Sequence, residues 1–334
     1  MAKKVKDKDY LYTSARVRAM EHSLLNRSRM ERMIKARNPM EAARVLMECG
    51  YPEFPAVTQE AVDTAIAQQR AQTYNLLGTI APDASVLDVF RLKYDYHNAK
   101  VLLKTSVTGE NANRLLMDMG RVPAKTLAES ILQRDLRQVP PLFRTAIEEA
   151  LETLRTTGDP QRTDIMLDRA YFDEMDTLAR QAKSDFLQGY VRISIDASNL
   201  RSAVRAQRMG KSPDFLRIIL FSGGNISRNR IFSGLATGST LDALFAASPL
   251  REAAEEGVAA GKGHRPLTRF ETLCDNAVSR YLRSAKYNSI SEAPLICYLG
   301  AKETELTAVR ILMAGQMAGL APEVLQERLR EIDA

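Results

Sequence analysis

The residues most suggestive of chemistry are Met209-Gly210-Lys211-Ser212, which end like the phosphate-binding loop of nucleotide hydrolases. That motif also needs an earlier glycine, because the backbone N–H groups must wrap around the phosphate. Arg205 occupies the place of that glycine. The sequence therefore predicts no direct nucleotide binding at this segment.

Other side chains that could catalyse a reaction or bind a metal are dispersed along the chain. The histidines His22, His97 and His264 lack the HExxH spacing of a zinc site, and no G-x-S-x-G nucleophile elbow occurs. The cysteines are Cys49, Cys274 and Cys297. Their odd number and wide spacing indicate neither a disulfide framework nor a zinc site. We expect inert, partly buried thiols, no catalytic residue, no metal and no cofactor.

One set of polar residues recurs inside three helical phrases, at 90–104, 186–208 and 294–313. The first two phrases share an Asp, an Asn and a basic residue with a shift of 101 residues: Asp95, Asn98 and Lys100, then Asp196, Asn199 and Arg201. The third phrase offers Lys302, Glu303, Glu305 and Arg310 instead. The first phrase is apolar nearly all round, so we expect its helix to be buried. Its Asp and Asn should then bond neighbouring helices, because an unpaired buried polar group costs about 1–3 kcal/mol.

A second echo follows the first two phrases, at 115–122 (LLMDMGRV) and 219–226 (ILFSGGNI). Each unit runs through short helices, then a long helix, then the helix with the polar residues. A unit used three times indicates a scaffold with approximate threefold internal symmetry, and no solenoid period of about 34 or 40 residues is evident. We predict an all-α fold with helical repeat domains at 1–108, 109–210 and 211–334.

The composition is that of an ordinary globular protein, with 45% hydrophobic and 26% charged residues. The apolar runs are far shorter than the roughly 20 residues that cross a bilayer, and the charged N-terminus lacks the apolar core of a signal peptide. We therefore expect a cytosolic chain, which leaves docking on a membrane complex open.

The net charge of +6 hides a segregated pattern. Residues 1–37 carry eleven Lys and Arg against four acids, and 197–232 carry seven against Asp214 alone, whereas 135–185 hold eleven acids against seven bases. Such segregation favours oriented docking onto charged protein partners, although solvated helix faces would give the same pattern.

Two other classes of protein compete with a scaffold. A pI near 9.2 is compatible with a basic helical nucleic-acid-binding protein. Against this alternative, aromatic residues do not alternate with the basic ones, and the acidic middle would repel phosphate. A helical enzyme assembled only in three dimensions is the other alternative, and no constellation of residues recommends it.

Helix-start and helix-stop residues place the elements of the first unit. Apolar residues at three- and four-residue intervals predict one long amphipathic helix over 11–34. Asn38-Pro39 begins a short helix, and Thr58 caps a helix that runs through Leu77. A hairpin turn over 78–85 then leads into the first phrase.

Helices are predicted in the later units over about 140–156, 160–184, 267–286 and 292–317, with a short closing helix from Pro322. Residues 192–195 alternate as a strand would, but the helical pattern on both sides predicts a helix. The small-residue tract 257–263 (GVAAGKG) predicts a flexible loop.

Four segments together resemble the C subunit of the A/V-type rotary ATPases, whose eukaryotic counterpart is called the d subunit. They are YLYTSARVRAMEHSLLNRSRMERMIKARNPMEAARVLMECGYP at the start, KYDYHNAKVLLK, FSGGNI, and AKETELTAVRILMAG…LQERLRE at the end. The resemblance covers essentially the whole chain in family order. Each segment alone is a weak signal, and the combination is specific.

The resemblance implies three similar helical domains in a pseudo-threefold funnel around a central hollow. The wide end would sit on the membrane-embedded proteolipid ring, and the mouth would receive the end of the central shaft. A protein of this family is a peripheral, non-catalytic connector on the cytoplasmic side of the membrane, which links ATP synthesis or hydrolysis to ion translocation. The choice between proton and sodium, and the direction of the motor, stay open.

The sequence departs from the family pattern at Thr307, where an Asn is expected close to Arg310. The hydrogen-bond junction of the third phrase should then be looser. The basic residues that we expect to contact the shaft are Arg201, Arg205, Arg208, Arg228 and Arg230. Purely solubilising arginines are the alternative interpretation. The proteolipid loops would meet the short helices that follow each hairpin.

Overall fold

The computed structural model describes residues 6–109, 112–288 and 290–331, so Lys3 and Lys4 of the basic N-terminal stretch lie outside the described residues. The described chain forms sixteen α-helices and no strand, which confirms the predicted all-α fold. The helices are α1 (Leu11–Glu21), α2 (Arg27–Ile34), α3 (Pro39–Met47), α4 (Gln59–Ile80), α5 (Asp88–Thr108), α6 (Ala124–Gln133), α7 (Pro141–Thr157), α8 (Pro160–Gln181), α9 (Asp185–Arg208), α10 (Pro213–Ile219), α11 (Arg228–Ala236), α12 (Leu241–Phe245), α13 (Arg251–Gly261), α14 (Leu267–Arg283), α15 (Ala293–Met317) and α16 (Pro322–Arg328). Within the described ranges, no helix is both long and apolar enough to cross a membrane.

The chain divides into two compact units. Unit 1 comprises Met1–Ala84, Ala203–Lys211 and Gly234–Ala334, and unit 2 comprises Ser85–Ser202 and Ser212–Ser233. In unit 1 the long helix α15 packs against α3 and α4, and in unit 2 α5 packs against α7 and α8. Both α5 and α15 have apolar side chains nearly all round, so each is buried among its neighbours.

Local sequence sets the starts of α3 and α4 as predicted. The Asn38 side chain accepts a hydrogen bond from Glu41 N and Pro39 occupies the first turn of α3, while Thr58 caps α4. Gly158 ends α7 in the left-handed region with φ of 63°, a conformation that glycine adopts without strain.

Residues 11–34 form two helices, α1 and α2, so the prediction of one long helix is wrong. Asn26 starts the second helix, because its side chain accepts a hydrogen bond from Arg29 N. Leu24 and Leu25 lie in the break and are buried. The apolar period therefore continues across the break although the helix does not.

Two further predictions from local sequence can be compared with the helices of the structure. The turn predicted over 78–85 starts later, because α4 continues through Gly78 to Ile80. A glycine inside a helix costs only about 1 kcal/mol against Ala, so it does not have to end one. Residues 192–195 lie inside α9, which confirms the prediction of helix over strand.

Residues 257–261 of the small-residue tract form the last part of α13, so the predicted flexible loop is wrong there. A Cβ atom on Gly257 would lie 2.9 Å from the side chain of Val204 and 3.1 Å from that of Phe270. Glycine thus permits close packing here. The left-handed residue is Gly263, with φ of 78°, just after the helix.

Candidate functional site

The two predicted asparagines each hold the backbone segment that follows their helix. Asn98 Oδ1 accepts a hydrogen bond from Met117 N at 2.8 Å, and Asn98 Nδ2 donates to Met117 O at 2.8 Å. Asn199 makes the same pair with Phe221 N and O, at 2.8 and 2.9 Å. Both asparagines are fully buried. An amide side chain carries the acceptor and the donor that the N–H and the C=O of one residue need, so it acts as a backbone clamp.

Asp95 binds the same segment four to five residues further on. Its Oδ1 accepts from Val122 N at 3.2 Å, and its Oδ2 accepts from Arg121 Nε at 2.7 Å. Arg121 also donates to the buried Glu174 on α8 at 2.8 Å. Burial raises the pKa of Asp95, and the Arg121 guanidinium opposes that rise. A Cβ atom on Gly120 would lie 2.1 Å from the Asp95 carboxylate, so only glycine permits this close approach.

Asp196 repeats this geometry with different neighbours. Its Oδ1 accepts from Ile226 N at 3.0 Å, and its Oδ2 accepts from Asn225 N and Nδ2 at 3.0 and 2.9 Å. Burial raises the pKa of Asp196, and these hydrogen bonds oppose the rise. A Cβ atom on Gly224 would lie 2.2 Å from the carboxylate. The glycines Gly120 and Gly224, in the repeated segments at 115–122 and 219–226, therefore each permit a close contact between backbone and carboxylate.

The third phrase forms its junction through Glu305, and the partner is the N-terminal segment. Glu305 Oε2 accepts from Leu25 N at 2.8 Å, and Oε1 accepts from Tyr51 Oη at 2.8 Å and from Lys302 Nζ at 2.6 Å. The side chains of Lys302 and Glu305 are only 6% and 1% exposed. Burial and the adjacent carboxylate raise the pKa of Tyr51. Ser23 lies where the other junctions have glycine, and the extra methylene of Glu305 lengthens the reach of its carboxylate.

All three carboxylates accept the backbone N–H that lies two residues before a short helix. Asp95 binds in this way before α6, Asp196 before α11 and Glu305 before α2. In the register that these bonds define, Ala308 takes the place of Asn98 and Asn199, so the third junction has no amide clamp. We name these three sites the carboxylate junctions.

The remaining polar residues of the third phrase bond elsewhere. Glu303 forms an ion pair with Arg70 on α4, with 3.4 Å between oxygen and nitrogen. Thr307 is exposed and donates to the backbone oxygen of Glu303 at 3.0 Å, so it does not replace the missing amide.

A basic residue five positions after each carboxylate extends the register, at Lys100, Arg201 and Arg310. Lys100 forms an ion pair with Asp168 on α8. Arg310 pairs with Asp63 on α4 at 3.0 Å. These ion pairs connect α5 to α8 and α15 to α4. Because the pairs are partly exposed, each contributes only about 0–1 kcal/mol to stability.

The arginines expected at the shaft have different surroundings. Arg201 is half-buried, while Arg205, on the same helix, pairs with Glu271 on α14 at 2.7 Å. Arg208 donates to Arg265 O at 2.9 Å. The exposed pair in the first turn of α11 is Arg228 and Arg230.

The residues with reactive side chains form no cluster in the described structure. No group of three or more His, Cys, Asp or Glu side chains in the described ranges is placed to hold a metal ion. The three cysteines are free thiols and are buried. His97 is exposed, with Nε2 2.9 Å from Leu115 O. Each carboxylate of the junctions accepts at least two hydrogen bonds from its own chain, which suits it to hold backbone in place.

Sequence reasoning missed Leu25 and Tyr51 as partners of the third junction. A usable signal was present, because an acid followed five residues later by a base recurs as Asp95/Lys100, Asp196/Arg201 and Glu305/Arg310. It identifies Glu305 as the third carboxylate. It does not identify the N-terminal segment, which lies 280 residues earlier in the chain.

The fold and its junctions define an all-α protein in which buried carboxylates hold short helices against long ones. The chain belongs to the ATP synthase (C/AC39) subunit family, whose sequence model matches residues 13–328. It is 23% identical to the C subunit of the V-type sodium ATPase of Enterococcus hirae, over 95% of this chain and 96% of that protein. It is 25% identical to the C subunit of the A-type ATP synthase of Thermococcus kodakarensis, over 97% and 91% of the two chains. It is 22% identical to the C subunit of the V-type ATP synthase of Thermus thermophilus, over 96% and 98%. The predicted resemblance to this family is thereby confirmed.

Proposed function

We propose that this protein is the non-catalytic central-stalk connector of a V/A-type rotary ATPase. It couples the rotating shaft to the proteolipid ring, and so links ATP synthesis or hydrolysis to ion translocation. The observation that carries the proposal is the family match over 13–328, together with relatives named as C subunits that align over more than nine-tenths of their length. The protein would lie on the cytoplasmic side of the membrane as a peripheral component of the complex.

The carboxylate junctions support a mechanical role. A connector under torque must keep its helices in register, and backbone clamps between buried groups resist sliding better than apolar contacts, which lack direction. The recurrence of one junction at three places supports three helical repeat domains, at 1–108, 109–210 and 211–334, in a pseudo-threefold funnel around a hollow. Small-angle scattering of the purified chain would test that shape, since a solid particle of the same mass would scatter differently.

The shaft contacts in this proposal are Arg201, Arg205, Arg208, Arg228 and Arg230. Arg228 and Arg230 are exposed, so they suit electrostatic steering of a partner. Arg205 is already paired with Glu271, which makes it the weakest candidate of the set.

The test mixes the purified protein with the shaft subunits at micromolar concentration and measures complex formation by gel filtration and calorimetry. Capture on proteolipid-containing membranes is measured in parallel. The Arg228→Ser/Arg230→Ser variant is expected to weaken shaft association about tenfold, or about 1.4 kcal/mol. The matched control is Arg137→Ser/Arg155→Ser, whose side chains are 86% and 70% exposed and pair only with neighbours in sequence.

Absence of both a shaft complex and membrane capture would refute the connector role. An equal loss of affinity in the control variant would instead refute the assignment of Arg228 and Arg230, because it would show that net charge alone matters.

A further inference from the structure

Unit 2 carries a surface groove that the carboxylate junctions do not use. It consists of two cavities, of about 410 Å³ and about 390 Å³, each lined in part by residues of α10. Leu216 and Phe232 line the first cavity, and Ile218 and Met166 line the second. Ile218 is 54% exposed, so a large apolar side chain lies in contact with water. We name these two cavities together the α10 groove.

Four arginines border the α10 groove, namely Arg162, Arg169, Arg217 and Arg228. Within the described chain, neither the Arg162 nor the Arg228 side chain forms an ion pair or a hydrogen bond. Arg169 donates to Ile218 O at 2.9 Å, which fixes it at the edge of the second cavity.

The carboxylates at the groove are fewer than the arginines. Glu149 and Asp173 line the second cavity. Burial raises the pKa of Asp173, and the nearby Arg169 and Arg228 oppose that rise. Arg217 lies over the Phe232 ring, with its guanidinium carbon 4.1 Å from the ring centroid, and contacts Asp214 at 3.8 Å. Both groups of that ion pair are more than half exposed, so the pair contributes little. The groove therefore presents apolar walls with a positive rim.

We propose that the α10 groove binds an acidic amphipathic helix of a partner protein in the complex. Aliphatic side chains on one face of that helix would enter the two cavities, and its Asp and Glu residues would meet the arginines of the rim. A helix satisfies its own backbone hydrogen bonds, which matters because the described part of this chain offers no strand edge to an extended peptide. The inference rests on the proposed function in so far as Arg228 serves both sites.

The test is a selection from a displayed library of 18-residue helical peptides against the full-length protein, with counter-selection against the Ile218→Asp variant. The expected result is enrichment of peptides with aliphatic residues at i, i+3 or i+4 and i+7 and with Asp or Glu beside them. Ile218→Asp should weaken the best peptide at least tenfold, measured by fluorescence anisotropy. Leu132→Asp, at an 84% exposed position of α6 outside the groove, should leave the affinity within twofold.

The Arg162→Ser/Arg228→Ser variant supplies a second measurement that leaves the apolar walls intact, and it too should weaken the peptide at least tenfold. Enriched peptides without acidic bias, equal binding to the Ile218→Asp protein, or no enrichment at all would each overturn the inference. A shaft complex that forms normally while peptide binding fails would remove the groove site and leave the connector role standing. Peptide binding without any shaft complex would support the groove site and count against the connector role.

Discussion

Replacing Asn199 tests whether the backbone clamp, and not packing, holds the second junction. The fully buried amide makes two hydrogen bonds, both with the peptide groups of Phe221. Asn199→Ala leaves a buried N–H and a buried C=O without partners, at roughly 1–3 kcal/mol each, so the free energy of unfolding should fall by about 2–6 kcal/mol. The control is Asn75→Ala, at an exposed position of α4, where we expect a change within about 0.5 kcal/mol.

Asn199→Asp separates hydrogen bonding from volume, because Asp and Asn have nearly the same shape. An ionised carboxylate would accept from Phe221 N but would place a second oxygen against Phe221 O, so the new carboxyl should have a raised pKa. A raised folded-state pKa means that the stability contribution is present below the unfolded pKa and is lost as the pH rises through the folded value. The deficit of Asn199→Asp should therefore be large at pH 8 and shrink towards pH 4.5, whereas the deficit of Asn199→Ala should stay constant.

Urea unfolding followed by circular dichroism gives the stabilities, and hydrogen exchange of peptides covering 219–226 reports the junction itself. The second measurement matters because the chain contains two compact units and need not unfold in one step. An Asn199→Asp protein with wild-type stability at pH 8 would refute the clamp, since shape alone would then suffice.

Glycine contacts, buried charge and buried thiols each give a further prediction. Gly224→Ala should destabilise the protein by more than about 2 kcal/mol, because its Cβ would overlap the Asp196 carboxylate. Gly78→Ala has open space at its Cβ and should be neutral or stabilise the protein by up to about 1 kcal/mol. Thermal melts compare the two variants, and equal effects would contradict the contact. Arg121→Met leaves two buried carboxylates without their cation and should destabilise by about 3–5 kcal/mol at pH 7. That deficit should decrease towards pH 4 as the carboxylates become protonated. Urea titrations at pH 7 and pH 4 measure it, and an equal deficit at both pH values would contradict the prediction. Burial raises the pKa of Cys49 and of Cys297 to about 11, so both thiols should react slowly with a disulfide reagent at pH 8 until the protein unfolds. Their contribution to stability should be lost as the pH rises from about 9 through 11. Rapid labelling of the native protein would contradict this prediction, because it would show that the thiols are accessible.

The first two junctions left a signal in the sequence because each is local, although the sequence predicted bonds to neighbouring helices and not to the segments at 115–122 and 219–226. Asp95 binds a residue 27 positions later and Asp196 one 30 positions later, so helix phrase and glycine echo appear together in both repeats. Burial of these residues also followed from sequence, because a helix that is apolar all round has no solvent face for its few polar groups.

In the third junction only the carboxylate could be predicted, from the base five residues after it, because the other parts have changed. Glu305 replaces Asp, Ala308 replaces Asn, and the partner Leu25 lies 280 residues away at the other end of the chain. Helix boundaries failed for a related reason. Gly257 looks like a loop residue, but its lack of a side chain serves packing against Phe270, a contact that local pattern does not contain.

The separation along the chain also accounts for the different chemistry of the third junction. The entropy of closing a loop grows with the logarithm of its length, so closing 280 residues costs about 2 kcal/mol more than closing about 30, counted from the unfolded chain. The third junction lacks the amide clamp, yet its carboxylate gains a phenol and a buried ammonium as donors, from Tyr51 and Lys302. Hydrogen bonds that involve charged groups are about twice as strong as neutral ones, so these donors can offset the longer closure. Opening the third junction would separate segments that lie 280 residues apart, so it would undo more of the packing than opening either of the two local junctions.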